Sequence, residues 1–118
     1  MNYGHTIGHA VEAASNYQQY VHGEAVSIGM YGAALAAEKL GLIGKEIVET
    51  HARILGRAGL PVSYSGLTPS NVLAHLELDK KRLGGNHRMV LLRGIGKPTI
   101  VNVDEKVVRE VLEILKEG

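Results

Sequence analysis

Three histidines fall within the first 22 residues, in the strings Gly4-His5-Thr6-Ile7-Gly8-His9-Ala10 and His22-Gly23-Glu24-Ala25-Val26. His5 and His9 are four residues apart, about one helical turn, so on a helix they share a face. His22 lies beyond a short polar break and can return to that face from the start of a following helix. Three imidazoles converging on one point suit zinc or another transition metal, or a metal with a general base beside it. Unrelated histidines also cluster, so spacing alone leaves a structural role open as well. The flanks are unusual: Gly4 and Gly8 straddle His5, and Gly23 follows His22. Glycine inside a helix is a cost unless a backbone or ligand must come close.

Two carboxylates accompany the histidines. Glu12 comes three residues after His9 and seven after His5. It can share their face and accept an imidazole N–H, which would fix a tautomer. Glu24 sits in a first helical turn, where the dipole favours a carboxylate, and reads as a capping residue. His51, His75 and His87 have no neighbours that suggest chemistry and read as surface or hydrogen-bonded core residues. The run Asp79-Lys80-Lys81-Arg82, followed by Gly84-Gly85-Asn86, reads first as a solvated helix end. Its alternative is an anion site, with lysine as a compact donor to phosphate or carboxylate.

The elements that must position these residues are mostly helical. Thr6 to Ala14 reads as a first helix ending at Ser15-Asn16, with a polar loop over Tyr17 to Val21. His22 to Leu40 has helical period and a C-terminal stop at Gly41. Gly29 and Gly32 inside it each cost up to ~1 kcal/mol relative to alanine, which close packing on a neighbouring helix would offset. Ile43 to Ala58 repeats the pattern, with Ile47, Val48, Ile54 and Leu55 on one side and Gly59 beyond the end; Leu60-Pro61-Val62 then breaks it. Thr68 is placed as N-cap and Pro69 in the first turn of a helix reaching Leu78 or Lys80. Met89 to Leu92 and Thr99 to Val103 read as a small antiparallel pair. Asp104 caps a last helix whose buried stripe is Val107, Val108, Val111, Leu112 and Leu115. The expected fold is therefore one mainly α domain over residues 1–118, with a hairpin near residues 88–103 and a C-terminal helix.

Bulk properties narrow the functional classes. Five tyrosines are the only aromatic residues, so the core must come from Leu, Ile, Val and Ala, which favours close helix packing. A net charge of +1 offers no electrostatic argument for nucleic acid or an anionic membrane. With no cysteine there is no disulfide framework and no thiolate metal site. No stretch approaches the ~20 apolar residues of a membrane span, and no signal peptide is visible. A cytoplasmic protein is expected.

Taken together, Asn2-Tyr3-Gly4-His5-Thr6-Ile7-Gly8-His9-Ala10-Val11-Glu12 and His22-Gly23-Glu24-Ala25-Val26-Ser27-Ile28-Gly29-Met30 resemble the C-terminal domain of the 3-dehydroquinate synthases. Leu78-Asp79-Lys80-Lys81 and Val90-Leu91-Leu92-Arg93-Gly94-Ile95-Gly96 resemble later segments of that family, in the same order. The resemblance implies a phosphorus–oxygen lyase of the shikimate pathway. It converts a phosphorylated heptulosonate to 3-dehydroquinate and phosphate, with NAD as transient oxidant and a divalent metal, zinc or cobalt. The implied order is alcohol oxidation, phosphate elimination, ketone reduction, ring opening and aldol closure. The resemblance makes His5 and His22 metal ligands, and makes His9 the catalytic histidine that contacts substrate and moves protons. It makes Asn2 a substrate contact, and one of Lys80 and Lys81, with Lys80 slightly favoured, the partner of the substrate's anionic end. The family's third metal ligand, a glutamate, lies upstream of the histidine motif, as do its NAD-binding domain, a catalytic lysine and a substrate-binding arginine. No Gly-rich strand–turn–helix fingerprint occurs in these residues. NAD is therefore expected only in a full-length enzyme, and the chain alone is expected to be inactive without a nucleotide-binding domain or partner chain. The alternatives are a non-catalytic helical module that forms homo-oligomers, and the same domain of a sister sugar-phosphate cyclase.

Overall fold

The computed structural model describes residues 4–16, 18–82, 84–94 and 96–117. Among these, five helices and one hairpin follow in the order α1 (His5–Ala14), α2 (His22–Lys39), α3 (Lys45–Arg57), α4 (Pro69–Arg82), β1 (His87–Leu92), β2 (Pro98–Val103) and α5 (Glu105–Leu115). The mainly α reading with a hairpin and a C-terminal helix holds, and most ends fall within two residues of their expected places. No described helix is long and apolar enough to cross a membrane.

The ends follow their local chemistry. Glu24 accepts the Val21 N–H at 3.2 Å and so supplies one half of a capping box at the start of α2. Gly41 and Gly59, at φ +75° each, take the left-handed turn that closes α2 and α3. Thr68 Oγ1 accepts the Asn71 N–H at 3.1 Å, the cap expected at α4. That helix runs on past Lys80 to Arg82. Three cations in its last turn face the negative end of the helix dipole, and the Gly85 N–H then closes on Lys80 O at 2.8 Å. Asp104 does occupy the N-cap of α5, yet its side chain makes no capping hydrogen bond. On α3 the buried residues are Val48 and Leu55, whereas Ile54 is 59% exposed. One residue along a helix is a 100° rotation, which carries Ile54 out of the expected stripe.

α2 is the central element, with a buried run from Gly32 to Ala37. A Cβ on Gly29 would overlap Gly4 O and lie 2.7 Å from Gly8 N, and one on Gly8 would lie 3.0 Å from Ala25 O. The two backbones therefore meet with no room for a methyl group, as the cost of glycine in a helix interior implied. Gly32 instead makes room for the Ile7 and Leu115 Cδ1 atoms, each 2.9 Å from where its Cβ would stand. Gly23 has only open space around it, so packing gives no reason for that glycine.

The C-terminal half closes on α2. β1 and β2 pair antiparallel from His87↔Val103 to Leu92↔Pro98, two residues longer at the β1 start than expected. The stripe of α5 buries Val108, Val111, Leu112 and Leu115. The fully buried Tyr64 ties the loop after α3 to α5. Its hydroxyl donates to Leu112 O at 2.7 Å, its N–H to Leu115 O at 2.9 Å, and its C=O accepts the Glu117 N–H at 2.8 Å.

Candidate functional site

The close approach of α1 and α2 fixes where the histidines stand. His5, His9 and Glu12 project from successive turns of α1, and His22 is the first residue of α2. The His5 and His9 rings stack at 5.2 Å between centroids and 13° between planes. The His22 ring is 6.0 Å from His5 and 6.2 Å from His9. All three imidazoles thus meet at one mouth, as their spacing implied. Glu12 is largely buried, and its Oε1 lies 3.1 Å from His22 Nδ1. This carboxylate–imidazole contact favours hydrogen on Nδ1 and leaves Nε2 as a free lone pair. Glu12 is therefore the acceptor that its place on the α1 face allowed.

Donor atoms of His9, Glu12 and His22 lie within 4.8 Å of one another. Imidazole nitrogen with carboxylate oxygen is the donor set that zinc and cobalt accept. The residues fit such an ion, with His5 stacked directly against the group.

A cleft of about 350 Å³ opens between α1 and α4, and its polar lining includes His9, Glu12, His22, His75, Asp79 and Arg82. A second depression on the other side of His22 takes in His5, Gly23 and Met30. Lys80 and Lys81 line neither. Lys80 Nζ stands between carboxylates, 3.5 Å from Glu105 Oε1 and 3.8 Å from Glu77 Oε2, while Lys81 is exposed. Asn2 lies outside the described residues.

Local sequence passed over two histidines that the structure gives special surroundings. His75 joins the cleft wall because residues 75, 78, 79 and 82 share one face of α4. Reading that periodicity together with the Asp79–Arg82 run could have found it. His87 is buried at the hinge of α4, β1 and α5. His51 has the ordinary role expected of it, with Nδ1 2.8 Å from Ile47 O one turn back.

Histidine and carboxylate donors at the mouth of an interhelical cleft, carried on a helical domain, form a candidate metal-site class of protein. The chain belongs to the 3-dehydroquinate synthase family: residues 1–82 match the family model described as 3-dehydroquinate synthase C-terminal. It is 45% identical over 116 residues to the 3-dehydroquinate synthase of Caldanaerobacter subterraneus subsp. tengcongensis, covering 98% of this chain and 32% of that protein. The Xylella fastidiosa (strain M23) 3-dehydroquinate synthase is 45% identical over 119 residues, with 95% and 32% covered. The chain thus spans about a third of the length of the curated relatives it matches. Among solved structures, 2-epi-5-epi-valiolone synthase from Streptomyces hygroscopicus subsp. jinggangensis, with NAD+ and Zn2+ bound, superposes with a TM-score of 0.84 at 30% identity, covering 97% of this chain and 32% of that one. A 2-deoxy-scyllo-inosose synthase complexed with carbaglucose-6-phosphate, NAD+ and Co2+ gives 0.79 at 33% identity, covering 94% and 33%.

Proposed function

We propose that this chain supplies the metal- and substrate-binding part of a 3-dehydroquinate synthase, acting on a phosphorylated heptulosonate. The observation that carries the reading is the convergence of His5, His9 and His22, with Glu12 holding His22 Nδ1 at 3.1 Å. In this reading, which rests on the family resemblance, His5 and His22 hold the divalent ion, zinc or cobalt, and His9 faces substrate, whereas the donor atoms within 4.8 Å of one another belong to His9, Glu12 and His22. A bound ion would supply Lewis-acid polarisation of a substrate oxygen. The chain's own residues do the rest. Glu12 orients His22 and fixes its tautomer. His9, exposed at the cleft mouth, exchanges a proton with the substrate carbon or leaving oxygen. Asn2 and the Lys80-Lys81 pair bind the polar and anionic ends of the substrate. Lys80 has to leave Glu77 and Glu105 to do so, whereas Lys81 has no ion-pair partner to give up among the described residues. NAD and the remaining catalytic groups would come from a nucleotide-binding domain or partner chain, as the NAD+-bound neighbours suggest.

A second reading, the same domain of a sister cyclase, is favoured by the two structural neighbours, which are named for other carbocycles. One experiment separates the two. These residues are grafted in place of the matching third of the Caldanaerobacter relative, and the chimera is assayed with NAD, zinc and each substrate. Turnover of the phosphorylated heptulosonate to 3-dehydroquinate, lost in His9→Ala, is expected. Turnover of a different sugar phosphate alone would transfer the assignment to the sister enzymes. A folded chimera inactive on every substrate would overturn both.

A further inference from the structure

A second cluster, remote in sequence from the histidine motif, also has the chemistry of a metal centre. His87 opens β1 and its side chain is only 3% exposed. Its Nε2 is closed off from solvent and has no hydrogen-bond partner of acceptable geometry. Two carboxylates nevertheless stand beside it: Glu77 Oε1 from α4 at 3.3 Å and Glu105 Oε1 from the first turn of α5 at 3.8 Å. Donor atoms of the three residues lie within 4.8 Å of one another. Arg109 donates to Glu105 Oε2 from Nε at 3.2 Å and from its terminal nitrogen at 3.0 Å, which leaves Oε1 facing His87. A cation already occupies the edge of the group, for the Lys80 ammonium spans both carboxylates.

We propose that Glu77, His87 and Glu105 form a second divalent-metal site, taking zinc or cobalt through His87 Nε2 and one oxygen of each glutamate, and that the incoming ion displaces Lys80. The orphaned imidazole nitrogen is the decisive feature. A buried ring nitrogen without a hydrogen bond is unusual, and one that stands 3.3 and 3.8 Å from two carboxylate oxygens completes a ligand set for a cation. One nitrogen with two carboxylate oxygens suits zinc or cobalt better than calcium or magnesium, which prefer oxygen throughout. A depression of about 320 Å³, with Asn86, Asn102 and Asp104 on its walls, opens beside His87 and Glu105. The ion would pin the hairpin to α4 and α5 at once. None of this depends on the role of His5, His9 and His22.

The test uses the full chain and cobalt(II) alone, followed by calorimetry and by the visible bands of tetrahedral cobalt. Glu105→Gln is expected to take up one equivalent fewer than wild type. His5→Ala/His22→Ala is expected to keep the second site. On that background, Glu105→Gln and His87→Gln should weaken cobalt by roughly 10-fold or more, and Lys80→Met should tighten it. Glu105 is 36% exposed, so its substitution leaves the core intact, and melting of each variant checks folding. Unchanged cobalt uptake in Glu105→Gln would overturn the site whatever the histidine variants do. Unchanged affinity in Lys80→Met would overturn the displacement of Lys80.

Discussion

Glu12 shows how one carboxylate can orient a ring of the histidine cluster without being one of the proposed ligands. Its 3.1 Å contact with His22 Nδ1 leaves Nε2 as the free ring nitrogen. Glu12→Gln should therefore weaken zinc by roughly 10- to 100-fold while leaving the helices in place, measured by calorimetric titration. His5→Ala and His22→Ala should weaken it further. A larger loss in His9→Ala than in His5→Ala would exchange the roles of those two residues. The histidine cluster was legible in the sequence because its members lie within two adjacent helices and their spacing alone brings them round. His87 was not legible. Its carboxylate neighbours come from α4 and α5, and nothing in the local string around it marks a site assembled by tertiary packing. The surroundings of Lys80 were equally illegible, since it is engaged by Glu105 from a helix that begins 25 residues later.

At the scale of elements, caps and glycines announced most of the helices, and tertiary contact decided the rest. Gly29 illustrates the strongest constraint. Alanine there gains up to ~1 kcal/mol of helix propensity, but its Cβ would overlap the α1 backbone at Gly4 and Gly8. Backbone cannot swing aside as a side chain can, so Gly29→Ala should destabilise the fold by about 3 kcal/mol. Thermal melting is expected to fall by about 10 °C or more, and an unchanged melting temperature would sink the close-approach account. Gly23→Ala, in open space, serves as the control. The tie between the loop after α3 and α5 has a pH signature. Burial first, then the nearby Glu113 charge, raises the Tyr64 hydroxyl from 10.0 to about 12. The folded state thus keeps this proton while the unfolded chain releases it. The stabilisation is whole below pH 10.0 and is lost as pH climbs to about 12. Urea unfolding of wild type and Tyr64→Phe across that window should show a smaller pH slope in the variant, and equal slopes would refute the assignment.

For the whole molecule, fold class, hairpin and final helix could be read from periodicity. The way α4 lies across α1 could not, because no local pattern specifies which helices pair. That pairing creates the cleft carrying His9, His75 and Arg82. A binding cleft is not a complete catalyst, however, and the curated relatives are about three times the length of these 118 residues. The 118-residue polypeptide is expected to give no synthase turnover with substrate, NAD and zinc, while still binding zinc. Turnover well above the blank would contradict that division of labour. The glycine seam between α1 and α2 has one further implication. Both proposed metal-binding histidines stand on helices joined by a short connection, so bringing them together closes only a small loop and carries a correspondingly small entropic cost. The histidine-bearing helix pair is thus a local unit, its close spacing set by Gly4, Gly8 and Gly29 rather than by contacts distant in sequence.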